Sequence, residues 1–178
     1  MKENMIAFID VETTGLDFCR HELIEIGCVI TKQIGDTVDT VSEHEWKVKP
    51  TRIEDAEPDA LRLNGYSPGE WVFAMDLAVA LSELSAVADG AYMAAHNISF
   101  DNAFLQKAFR ETGVENKMHH RCIDTLTYAI AKLEKDDSID KYSLGFLCKH
   151  FGIENERAHT ALSDARATVS IYRELLKL

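Results

Sequence analysis

Asp10 and Glu12 stand two positions apart at the end of a short apolar run, in Asp10-Val11-Glu12-Thr13-Thr14-Gly15. Side chains alternate along a strand, so both carboxylates point to one face. Two like charges at the end of a buried strand are costly unless a cation lies between them. The plainer alternative is a solvated turn, since acids ahead of Thr-Thr-Gly are ordinary turn residues. Two further acidic signatures follow far along the chain, His96-Asn97-Ile98-Ser99-Phe100-Asp101 and His159-Thr160-Ala161-Leu162-Ser163-Asp164. Gathered by a fold, these carboxylates would make an oxygen-rich pocket for hard divalent cations beside a histidine able to move a proton. That combination suits phosphodiester cleavage.

In the second signature a strand runs into His96-Asn97 and a helix starts near Ser99, with Asn97 or Ser99 able to cap it. Asp101 then falls in the first turn, where the helix dipole favours an anion even without any function. His96 reads as a buried histidine at a strand end rather than as a metal ligand, and Phe100 begins the apolar face of its helix. In the third signature, His159 and Asp164 are five residues apart, roughly 140° around a helix, so they would not share a face. His159 therefore belongs on the loop before the helix, with Thr160 near the cap and Asp164 in the first turns. A histidine on a loop can approach a site that Asp164 enters from a rigid helix, which suits a proton carrier.

The elements that must hold these residues can be read from periodicity. Residues 5–11, 23–31 and 38–48 read as strands, the first apolar without alternation as expected of a strand covered on both faces. Gly35-Asp36 marks a hairpin between the second and third. The three prolines, Pro50, Pro58 and Pro68, fall in 50–69, the most irregular stretch. Residues 72–88, 100–111, 125–133, 143–151 and 161–178 carry helical spacing, and 91–95 and 121–124 read as short strands. Strands followed by alternating helix and strand indicate an α/β class with a mixed sheet.

With 46% hydrophobic residues in 178, the chain can bury a substantial core, and one domain over 1–178 is expected. No apolar stretch reaches the roughly 20 residues a bilayer span needs. Cys19, Cys28, Cys122 and Cys148 show neither CxxC pairing nor zinc-ligand spacing, so reduced thiols in a cytoplasmic protein are expected. Nineteen basic against thirty acidic residues leave a net charge of −11, the wrong sign for a protein that grips nucleic acid along its phosphates. Substrate contact should be short and local, with a log–log salt slope of roughly −1 to −3. Lys117, His119, His120 and Arg121 are the scattered basic candidates.

The three signatures, in this order, resemble the motifs of the DEDDh 3′–5′ exonucleases, the group of ribonuclease T, oligoribonuclease and the proofreading exonucleases of replicative polymerases. Cys122-Ile123-Asp124-Thr125-Leu126 also resembles that family's Asp-Thr element. The resemblance implies a ribonuclease-H-like fold, a mixed five-stranded sheet flanked by helices. It implies that Asp10, Glu12, Asp101 and Asp164 hold two Mg²⁺ or Mn²⁺ ions about 4 Å apart. Asp10 would touch both, Glu12 and Asp164 would complete one site, and Asp101 would support the other. His159 would be the general base for hydrolysis from the 3′ end, releasing nucleoside 5′-monophosphates from single-stranded or short DNA or RNA.

By the same resemblance, Thr13, Thr14 and Gly15 would meet the terminal 3′-hydroxyl, and Leu16 would pack on the last base or sugar. Leu63, Asn64 and Phe100 would stack or wedge, and His96 joins this substrate-contacting set. The implied partners are nucleic-acid 3′ ends, and a homodimer stays open because stand-alone relatives are often dimers. Replicative proofreading members carry a polymerase-binding tail, and the sequence ends with its last helix, so a polymerase partner is not expected. A binding module without activity would be expected to have lost a carboxylate, and none is missing.

Overall fold

The computed structural model describes residues 3–137, 139–155 and 158–178. Strand β1 (Glu3–Thr13) lies between β2 (Leu23–Ile34), antiparallel to it, and β4 (Tyr92–Ala95), parallel to it. β3 (Thr37–Lys47) pairs antiparallel outside β2, and β5 (His119–Asp124) pairs parallel outside β4. The sheet order is therefore β3-β2-β1-β4-β5, the expected mixed five-stranded sheet. Around it run α1 (Pro58–Leu63), α2 (Leu77–Val87), α3 (Ile98–Thr112), α4 (Thr125–Leu133), α5 (Leu144–Phe151) and α6 (Ala161–Lys177).

The two faces of β1 explain its unbroken apolar run. Ala7, Ile9 and Val11 pack into a core with Leu81 and Leu84 of α2 and Phe104 and Leu105 of α3. Ile6 and Phe8 point the other way, onto Ala165, Val169 and Tyr172 of α6. The period of two carries Asp10 and Glu12 onto this α6 face. A third cluster, with Ala129, Leu147, Ile171 and Leu175, fixes α4 and α5 against the far side of α6. No helix among the described residues is long and apolar enough to cross a membrane, and all four cysteines are free thiols.

Two expected elements differ. The stretch 50–69 is not simply irregular, because Pro58 opens the short helix α1 from its first position, where the missing N–H costs nothing. The helix read from residue 72 starts instead at Leu77. Trp71 is drawn inward, its indole N–H donating to the Ile24 carbonyl at 3.0 Å. Met75 then pairs with Val48 as an extension of the sheet. Tertiary hydrogen bonds override the helical spacing of 72–76.

Candidate active site

Asp10 and Glu12 leave the end of β1 on the face that α6 covers, and Asp164 enters from the first turn of that helix. One carboxylate oxygen from each lies within 4.8 Å of the others. Like charges so close repel, and burial adds to this. Burial first, then Asp101, Asp164, Glu12 and Glu25, raises Asp10 well above the usual carboxylate range. Burial and the neighbouring acids push Glu12 up to about 8. Three carboxylates gathered in this way, with no thiolate or imidazole among them, fit a hard divalent cation, which would neutralise their charge.

The α3 wall is fixed by long-range bonds. Asn97 occupies the capping position with φ +69°, and its side chain caps nothing. Ser99 donates its hydroxyl to the Asn97 side chain instead. The capping expected of Asn97 or Ser99 comes from Asp124 at the end of β5. Its Oδ1 accepts the N–H groups of Asn97 and Ile98 at 3.0 and 3.2 Å. Its Oδ2 accepts from the N–H and hydroxyl of Thr127, which caps α4 as well. Burial pushes Asp124 up, but these hydrogen bonds prevail and hold it below its ordinary value. From the helix so placed, Asp101 reaches back to accept the Val11 N–H at 3.1 Å. Asp101 is buried, and burial, opposed by that hydrogen bond, pushes it up to about 7.

The α6 wall carries His159, exposed on the loop as expected, with φ +69°. Its N–H donates to Asp164 Oδ2 at 3.2 Å. Oδ1 of Asp164 accepts from the Asn155 side-chain amide at 2.6 Å, and Ser163 donates to Asn155 in turn. Thr160 stands at the capping position without capping through its side chain. The N–H of Ala161 goes to Glu25 of β2, at 2.9 Å. Glu25 and Asn155 lie outside the three acidic signatures. A lone acid inside an apolar strand was a signal for Glu25, since such an acid needs a partner. Nothing local marks Asn155.

Beside the carboxylates opens a cavity of about 360 Å³. Thr13, Gly15, Leu16, Leu63, Asn64 and Phe100 line it, together with Glu12 and Val11. Leu16 and Leu63 are 77% and 59% exposed, unusually open for leucines and placed to meet a ligand. Asn64 is buried and donates to the Thr13 carbonyl at 3.0 Å, so it frames the pocket. Ala60, just ahead of Leu63 and Asn64 on the same short helix, also lines the cavity, as do Glu57 and Asp59, which no sequence motif marks. Thr14 lies behind it, its hydroxyl accepting the Glu22 N–H. His96 is not brought to the pocket. Its ring nitrogens bond to the Thr125 hydroxyl and the Tyr142 carbonyl, so it ties β4 to the segment before α5.

The exonuclease family model of ribonuclease T type matches residues 7–172. The chain belongs to this exonuclease family. Ribonuclease T of Shewanella frigidimarina is 29% identical over 92% of the chain and 78% of its own length. The PolC-type DNA polymerase III of Halalkalibacterium halodurans is 31% identical over 94% of the chain, which spans 11% of that polymerase. Exonuclease I superposes with a TM-score of 0.80 at 18% identity, over 98% of the chain and 42% of exonuclease I. A zinc-bound complex of E. coli exonuclease I with single-stranded DNA gives 0.79 at 18%, over 97% and 40%. The sheet and helices are thus the ribonuclease-H-like fold of the exonucleases.

Proposed function

We propose that this exonuclease-family chain hydrolyses phosphodiester bonds one nucleotide at a time from the 3′ end of single-stranded or short DNA or RNA. The observation that carries the reading is the carboxylate trio of Asp10, Glu12 and Asp164 standing beside the cavity walled by Phe100 and Leu16. Asp10, Glu12, Asp101 and Asp164 would hold two divalent cations, Mg²⁺ or Mn²⁺, which supply positive charge to the scissile phosphate and leaving oxygen.

The rest is done by the chain's own residues. Phe100, Leu16 and Leu63 receive the terminal base and sugar, and the backbone of Thr13 to Gly15 meets the 3′-hydroxyl. Glu57 and Asp59 line the same cavity, and no lysine or arginine among the described residues lines it to hold further phosphates, so grip concentrates on one nucleoside. His159 takes the proton of the attacking water as its oxygen bonds to phosphorus. The bond from phosphorus to the 3′-oxygen of the preceding nucleotide breaks, that oxygen takes a proton from solvent to become the new 3′-hydroxyl, and a nucleoside 5′-monophosphate leaves. An exposed His159 passes its proton to solvent. The expected setting is the cytoplasm, with nucleic-acid 3′ ends as partner and a homodimer as the assembly to look for.

The test is a panel of single-stranded, 3′-recessed and blunt oligonucleotides, in DNA and RNA, with Mg²⁺ or EDTA. Metal-dependent release of 5′-monophosphates that Asp10→Ala abolishes is expected. No release, or release indifferent to Asp10→Ala, would sink the reading. The PolC-type relatives favour a second arrangement, the same chemistry beside a polymerase. Binding to a purified replicative polymerase, measured by sedimentation, separates the two.

A further inference from the structure

The segment that carries His159 rests on β2 at two neighbouring positions of one face, Glu25 and Gly27. Glu25 is 2% exposed, and its Oε1 holds the Ala161 N–H from 136 positions away. At Gly27, a Cβ would fall 2.2 Å from the carbonyl carbon of Ala161 and 2.3 Å from the nitrogen of Leu162. No side chain fits there, so the absence of one lets the start of α6 lie against the strand. A glycine inside a strand and a buried carboxylate beside it each weaken β2 locally. Both are explained by what they meet.

What they meet is a strained turn. His159 has φ +69°, a region that costs a residue with a Cβ about 1–2 kcal/mol. Such a conformation persists only where the surroundings fix it. On one side the His159 N–H is held by Asp164. On the other, two residues on, the Ala161 N–H is held by Glu25. The arrangement parallels α3, whose leading N–H groups go to Asp124 and not to its own capping side chain. In both helices that deliver an acid to the site, a carboxylate on a strand does the capping.

We propose that Glu25 is a positioning residue for His159, and that Gly27 provides the close seat that makes its bond to Ala161 reachable. The inference rests on the nuclease reading, with His159 as the base. Glu25 touches no substrate in this role. It sets where the imidazole stands relative to Asp164 and the attacked phosphate.

The test is steady-state cleavage of a short single-stranded oligonucleotide by Glu25→Met, Glu25→Gln and Gly27→Ala, each alone and combined with His159→Ala. Methionine keeps the volume and loses the acceptor, while glutamine keeps an acceptor oxygen. Glu25→Met should lower kcat by about 10²-fold, the scale of a 1 Å misplacement, with KM within about twofold. Glu25→Gln should recover kcat to within about threefold. With His159→Ala already present, Glu25→Met should cost less than about threefold, because residues acting as a unit are not additive. Amide exchange at Ala161 should quicken in Glu25→Met and stay slow in Glu25→Gln. An unchanged kcat, or an equal loss with and without His159, overturns the proposal while leaving the nuclease reading intact. If Glu25→Met fails to fold, Gly27→Ala in the same cycle decides by the same criteria. A wild-type chain that releases no mononucleotide overturns both.

Discussion

Asp101 accepts the main-chain N–H of Val11 at 3.1 Å, across 90 positions of sequence. The bond brings an acid of α3 to the backbone between the two acids of β1, since Val11 separates Asp10 from Glu12. It also shows how the site is assembled. A carboxylate can both hold the backbone of β1 in place and add its charge to the pair beside it.

That charge predicts an inverted pH dependence for the metal-free protein. Asp101 at about 7 and Glu12 at about 8 lie above the usual carboxylate range, and Asp10 is raised as well. Unfolded, these acids ionise near pH 4 to 5, so between there and the folded values the native chain binds more protons. The slope of stability with pH is then negative, and stability present at low pH is lost as pH rises through about 7 to 8. Thermal melts in EDTA should show a lower Tm at about pH 9 than at about pH 6. Millimolar Mg²⁺ should raise Tm most at the higher pH, because ligand protons have to leave. A rise of Tm with pH in EDTA would contradict the assignment.

Asn155 holds one oxygen of Asp164 at 2.6 Å. Asn155→Ala should raise the Mg²⁺ concentration for half-maximal cleavage by about 10-fold, at the low end of what losing a partner of a ligand costs. Its melting temperature should stay within about 3 °C of the wild type. Metal titrations of cleavage rate read the first and calorimetry the second. An unaltered metal requirement would show that Asp164 orients itself.

Asp124→Ala removes the cap of α3 and of α4 together. Two caps at about 1 kcal/mol each predict a loss of about 2 kcal/mol in urea unfolding. Cleavage should fall as well, since Asp101 rides on α3. A stability loss with unchanged kcat would mean that the Val11 bond alone places Asp101.

Phe100 and His96 should separate cleanly. Phe100→Ala strips an aromatic wall from the cavity and should weaken binding of a 3′ end by about 1–3 kcal/mol. His96→Ala should instead lower stability by about 1–3 kcal/mol, as buried groups lose their partners, with KM within about twofold. Titrating a fluorescent oligonucleotide in Ca²⁺ and measuring unfolding for both variants checks the pair. A KM effect at His96 would return it to the substrate-contacting set.

Much of this site could be read from the chain because its acids sit in short local patterns. Asp10 and Glu12 share a face by alternation alone, and the angle between His159 and Asp164 put them on loop and helix, as found. What the sequence concealed depends on distant partners. Nothing near Asn97 says that Asp124 will cap its helix, and nothing near Thr160 points to Glu25. Helix α1 was hidden because proline, a breaker in most contexts, here starts a helix. The false start at residue 72 came from spacing that Trp71 and Met75 overrule by bonding to β2 and the end of β3.

The four hydrogen bonds at Asp124 gather two helix beginnings and a strand end onto one side chain. Loss of that one side chain therefore loosens all three elements together. The opposite wall of the site is tied through two carboxylates, Asp164 and Glu25, which accept the N–H groups of His159 and Ala161. One wall thus depends on a single side chain and the other on two from different elements, and the second wall carries the histidine.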